Sequence, residues 1–163
     1  IGFGRWHILL PDYETINDGI PGETADELLE RLPSPVRGLV PDCFVIMTGT
    51  NNLLLYGQTA FTGTIREIVI VLRQAFAETP VVLTSLLPFG IGRTRASIIS
   101  LNEEYSLIAE KNGAVYFDLF TPFDEAETNL FELDGVHLNR DGYFVWGKHL
   151  DQLLQHLLAK EQD

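Results

Sequence analysis

The sequence predicts an α/β fold with a parallel sheet covered on both faces by helices, and two observations carry that expectation. Three short apolar runs rich in β-branched residues, 42–48 (DCFVIMT), 80–86 (PVVLTSL) and 114–120 (AVYFDLF), are bounded by turn or loop residues. Runs apolar on both faces suit strands buried in a parallel sheet. Between them, and after the last, apolar residues recur at helical spacing. Strands that alternate with helices need crossover connections, so they run parallel.

Taken in order, Tyr13–Asp18 (YETIND) reads as a short strand. A helix follows with Thr24 as N-cap and Glu27 three residues on, the spacing of a capping box. After the first apolar run, Ile65, Ile68, Val69, Leu72 and Phe76 form one helical stripe. After the second run, Ile98, Leu101, Tyr105 and Ile108 form another. The third run leads to Trp146, Leu150, Leu153, Leu154, Leu157 and Leu158, the stripe of a final helix. No repeat or linker interrupts the pattern, and 163 residues at 45% hydrophobic content suit one domain, residues 1–163.

Eleven Lys and Arg against 23 Asp and Glu give a net charge of −12, which repels phosphate backbones and anionic membrane surfaces. No nucleic-acid partner is expected. The one cysteine, Cys43, excludes an internal disulfide and is compatible with a reducing compartment. The longest early apolar run, HILLP, is too short to span a bilayer, so no integral membrane segment is expected. A cytoplasmic location is the expectation, with secretion or periplasmic export after signal removal as the alternative. No motif sets an oligomeric state.

In parallel α/β sheets, sites form at the carboxyl ends of strands. After YETIND comes GIPGET, where Gly22 either shapes a turn with Gly19 or offers its N–H to an anion at a helix start. After the first apolar run comes GTNNLLL, whose Asn51 and Asn52 either cap local structure or donate to an oxyanion. Before the final helix comes ELDGVHLNRDGY. Asp134 and His137, separated by two residues of which one is glycine, can share a tight turn in which the carboxylate holds one ring nitrogen and leaves the other as a general base. The alternatives are that Asp134 only shapes the turn or that the pair binds a metal. No further His or Cys cluster supplies the remaining ligands, so no metal and no cofactor are expected.

Together and in order, GIPGET, GTNN and DGVH resemble the glycine, asparagine and Asp-x-x-His blocks of the GDSL, or SGNH, hydrolase family. VVLTSLLP and NGAVYFDLF are similar to that family's middle. The resemblance implies a flavodoxin-like three-layer α/β/α sandwich and hydrolysis of an acyl or acetyl ester. It implies that Asp134 orients His137 as general base, and that Gly22 N–H and the Asn51 amide form the oxyanion hole. Asn52 stands where many members carry aspartate, a variation of the branch resembling platelet-activating-factor acetylhydrolase. The family's Gly-Asp-Ser block is missing from the 163 residues, and IGFGRWHILLP looks like its continuation. The nucleophilic serine, with the sheet's first strand, is therefore expected N-terminal to Ile1. Ser34, Ser85, Ser97, Ser100 and Ser106 read as structural, and Cys43 sits in an apolar run where a thiolate is costly.

Apolar loops near the strand ends suit an acyl chain on a small-molecule or lipid-type ester, with Asn52, Leu53, Leu87 and Phe89 as pocket candidates. Arg93 and Arg95 either hold an anionic head group or keep a loop soluble. Competing readings are a carbohydrate acetylesterase, a non-catalytic binding module on the same fold, and a flavin or nucleotide binder. The last is weakened by the lack of a Gly-rich phosphate loop.

Overall fold

The computed structural model describes residues 2–32, 36, 38–89 and 95–159. In chain order its elements are α1 (Trp6–Leu9), α2 (Ala25–Arg31), β1 (Phe44–Ile46), α3 (Thr50–Tyr56), α4 (Thr62–Ala75), β2 (Val81–Thr84), α5 (Arg95–Lys111), β3 (Val115–Phe117), α6 (Phe120–Asp124) and α7 (Arg140–Ala159). The chain divides into two compact units. One comprises Gly22–Leu86 and Ala96–Asp118, the other Ile1–Pro21, Leu87–Arg95 and Leu119–Asp163.

The first of these units holds the sheet. Its three strands run parallel in the order β1-β2-β3, with Phe44 opposite Val81 and Val82 opposite Val115. Every residue of β2 is buried, as a central strand covered on both faces requires, whereas β1 and β3 bury fully only their last residues. On α4 the stripe Ile65, Ile68, Val69 and Leu72 is no more than 1% exposed, and Phe76 caps the helix end. On α5, Ile98, Leu101 and Tyr105 are buried. Each aliphatic side chain so buried contributes about 1.5–3 kcal/mol. Asn102 on the same helix is also buried, because its amide accepts from Leu86 N–H at 2.7 Å and donates to Leu86 C=O at 2.9 Å. The backbone leaving β2 thus gains the partners that the sheet no longer supplies.

In the other unit α1 packs on α7, with Trp6, Leu10, Trp146, Leu150 and Leu154 buried. The strand predicted over Tyr13–Asp18 does not form. Asn17 Oδ1 accepts from Gly19 N–H at 3.2 Å, a local side-chain bond that turns the backbone, and Ile16 is 65% exposed, with no strand among the described residues to cover it. The three runs predicted as strands do form them, each shorter than its apolar run because the flanking residues lie beyond the ladder.

Gly49, the N-cap of α3, combines a φ of +106° with crowding: a Cβ there would lie 2.3 Å from Tyr105 Oη and 2.5 Å from the Phe61 ring. Gly57, at the other end of α3, has a φ of +61° and open space around it. Gly49→Ala is expected to cost roughly 2–5 kcal/mol, and Gly57→Ala about 1–2 kcal/mol, from strain alone. Urea unfolding of the two variants measures the difference, and equal losses would contradict the crowding at Gly49.

Candidate active site

Asp134 and His137 stand in a small hairpin that delivers the chain into α7. Phe131 and Leu138 form an antiparallel bridge, Glu132 N–H donates to His137 C=O at 2.7 Å, and Gly135 N–H donates to Glu132 C=O at 3.0 Å. Gly135 turns the tip with a φ of +69°. The Asp134 carboxylate then closes the turn from inside. Its Oδ1 accepts from the N–H groups of Val136 and His137, both at 2.9 Å, and its Oδ2 lies 2.6 Å from His137 Nδ1.

These bonds hold the Asp134 carboxyl at about 2, chiefly through His137 and then through the two backbone N–H groups. An ionised carboxylate can only accept, so Nδ1 carries the proton in the neutral imidazole and the lone pair lies on Nε2. Among the described residues Nε2 has no hydrogen-bond partner.

Asn139 joins the hairpin to α7. Its Oδ1 accepts from Gly142 N–H at 2.9 Å as a helix cap, and its Nδ2 donates to Asn129 C=O at 2.8 Å. Gly142 allows the close approach, since a Cβ there would lie 2.2 Å from Leu130 C=O. An asparagine three residues before the helix's first glycine was a readable cap signal that the sequence reading did not use.

In the sheet-bearing unit, Asn51 Nδ2 donates to the C=O of Glu23, the residue after Gly22, at 2.8 Å. One amide hydrogen of Asn51 remains for another acceptor. Gly22 is exposed with a φ of +82°. The segment around it is anchored by its neighbours. The Glu23 carboxylate pairs with Arg31 through both oxygens, and Thr24 and Glu27 complete the capping box, with Thr24 N–H donating to Glu27 Oε2 at 2.8 Å. That bond, with one from the Thr24 hydroxyl, holds the Glu27 carboxyl below its ordinary value.

The other expected site residues are placed as follows. Asn52 is fully buried. Its Oδ1 accepts from Ala25 N–H at 2.8 Å and its Nδ2 donates to Gln58 at 3.0 Å and Asp26 at 3.2 Å, so its amide links α3 to the start of α2. Leu53, Leu87 and Phe89 are buried at 7%, 3% and 4% exposure. Arg95 pairs with both oxygens of Asp124 and lies over the Phe120 ring, while Arg93 falls outside the described residues. Ser85 is buried with its side chain bonded to Tyr116, and Cys43 immediately precedes β1 with its thiol on Phe44 C=O. Ser34 lies outside the described residues. Phe3, which the sequence reading passed over, stands edge to face with His137, their centroids 5.7 Å apart.

The chain thus carries a parallel sheet and an Asp-His pair before its last helix, and comparison with known proteins gives its family. Residues 3–145 match the model of the GDSL-like lipase/acylhydrolase family. Human platelet-activating factor acetylhydrolase IB subunit alpha1 is 30% identical over 166 residues, spanning 96% of this chain and 71% of that protein. Thioesterase 1/protease 1/lysophospholipase L1 of Escherichia coli K12 is 30% identical over 165 residues, spanning 93% and 76%. The crystal structure of a GDSL-like lipase from Bacteroides thetaiotaomicron superposes with a TM-score of 0.73 at 26% identity, covering 93% of this chain and 82% of that one. The lipase/acylhydrolase from Enterococcus faecalis shares the fold at a TM-score of 0.74, with 23% identity and coverage of 86% and 75%. The chain belongs to the GDSL-like lipase/acylhydrolase family and is an ester hydrolase. Its fold is the α/β sandwich that the sequence led one to expect. No helix among the described residues is long and apolar enough to cross a membrane.

Two measurements test the site's construction. The Asp134 carboxyl, followed by carbon NMR, is expected to titrate near pH 2, and His137→Ala is expected to raise that midpoint toward the ordinary value. Because the folded value is depressed, the hairpin keeps this stabilisation above about pH 4 and loses it as pH falls toward 2; a midpoint near 4 in the parent would contradict the network. Asn52→Ala, which strands the buried Ala25 N–H, is expected to cost roughly 2–3 kcal/mol in urea unfolding, against about 1 kcal/mol for Asn51→Ala.

Proposed function

We propose that this protein hydrolyses acyl or acetyl esters through a Ser-His-Asp triad, with Asp134 and His137 as two of its members and a serine outside the 163 residues as the third. The observation that carries the reading is the 2.6 Å contact between Asp134 and His137 Nδ1, which leaves the Nε2 lone pair available. In this mechanism Nε2 takes the proton from the serine hydroxyl as its oxygen attacks the ester carbonyl carbon. The C=O bond electrons move onto the oxygen, and the Gly22 N–H and the second Asn51 amide hydrogen donate to that oxyanion. Collapse expels the alcohol, which receives the proton from Nε2 and leaves an acyl-enzyme. Water, deprotonated by the same Nε2, then attacks the acyl carbon and releases the acid and the serine.

The segment that follows Gly22 is held before any substrate binds, through Arg31 on Glu23 and the capping box at Thr24, and Asn51 is held by its bond to Glu23, which suits both donors to the role. Donors that need no reorganisation are the ones that stabilise a transition state. We assign the substrate to short or medium acyl groups on a lipid-type or small alcohol. The names of the 30%-identical relatives, an acetylhydrolase and a lysophospholipase, support this, as does the apolar character of Phe3, Leu138 and Tyr143 beside His137.

Turnover of p-nitrophenyl acetate and longer acyl esters tests the assignment. Asn51→Ala is expected to lower kcat about 100- to 1000-fold, and Asp134→Asn roughly 10,000-fold, with both variants folded. Near-parental turnover in either variant would remove that residue from the mechanism.

A further inference from the structure

Among the described residues two side chains hold the His137 ring. Asp134 takes Nδ1, and Phe3 stands against the imidazole with the ring planes 74° apart. Phe3 is 61% exposed, so core packing does not explain its position. With Glu132, Asp134, His137, Leu138 and Tyr143 it lines a depression of about 360 Å³.

The backbone on either side of Phe3 is held closely. At Gly2 a Cβ would lie 2.8 Å from Gly19 C=O, and the Gly2 C=O accepts from the Asn17 amide at 3.1 Å. At Gly4 a Cβ would lie 2.6 Å from the Trp6 indole. Trp6 is fixed in turn by Trp146 and Tyr143, at centroid distances of 5.1 and 6.3 Å. Two glycines that leave no room for a side chain therefore bracket a large ring that is left largely in water.

We infer that Phe3 is a positioning residue for His137, an inference that rests on the hydrolase reading above. The His137 side chain is 59% exposed, so water competes for its one hydrogen bond to Asp134, and that bond alone leaves the ring free to swing. A perpendicular phenyl ring restricts that swing and excludes water from one side. Phe3 contributes no atom to the transfer; it narrows the directions in which Nε2 can point.

The test follows the His137 Nδ1 proton by NMR in nitrogen-15-labelled protein and sets it beside ester kinetics. In Phe3→Ala, exchange of that proton with water is expected to rise roughly three- to tenfold and kcat to fall by a similar factor, with KM little changed. Phe3→Tyr is expected to restore both. An unchanged exchange rate in Phe3→Ala, or an effect confined to KM, overturns the inference, the second because it would make Phe3 only a wall of the substrate site. A thermal melt checks that the variants stay folded. The NMR signal requires no substrate, so if no ester is turned over by any variant while the ring still responds to Phe3, the positioning role stands and the hydrolase reading falls.

Discussion

The Asp134 carboxylate is the interaction on which the turn before α7, and the chemistry proposed for it, depends. Its two oxygens accept from two backbone N–H groups and one imidazole, all within a four-residue span. Without those bonds the turn through Gly135 would have only the hairpin's outer bonds to hold it, and the imidazole would lose the partner that fixes its tautomer. In the proposed mechanism the same charge serves structure and reactivity, in a loop where both side chains are about half exposed and neutral contacts would be weak.

A comparable division of labour appears at the start of α3. Asn51 and Asn52 are neighbours of the same chemical type, yet Asn52 is buried with its amide committed to Ala25, Asp26 and Gln58, while Asn51 spends one amide hydrogen on Glu23 and keeps another. Gly49 makes this arrangement possible, because only a residue without a Cβ can pass beneath Tyr105 and Phe61 at that φ. Rigidity from the buried asparagine supports a donor held at a set place by the other. Active sites commonly rest on such supporting contacts.

The parts of this molecule that sequence reveals are those governed by local periodicity and by short spacings. The stripe on α4 and the Thr24–Glu27 box follow from helix geometry, and the Asp134–His137 contact spans one turn. What depends on distant partners was not readable. Tyr13–Asp18 looks like a short strand but has no ladder partner among the described residues, and Asn17 spends its side chain on a local turn. Leu53, Leu87 and Phe89 are apolar residues after strands, and sequence does not distinguish a side chain that meets a ligand from one that packs its own loop. The pairing of Arg95 with Asp124 and the contact of Phe3 with His137 join residues far apart in the chain.

The most direct measurement is mass spectrometry of the protein produced from its complete coding sequence, before and after reaction with a fluorophosphonate, in the parent and in His137→Ala. One stoichiometric adduct is expected in the parent, mapped by peptide analysis to a serine outside these 163 residues, with its loss or marked slowing in His137→Ala. An unmodified parent, or an adduct on Ser34, Ser85, Ser97, Ser100 or Ser106 that forms regardless of His137, would contradict it.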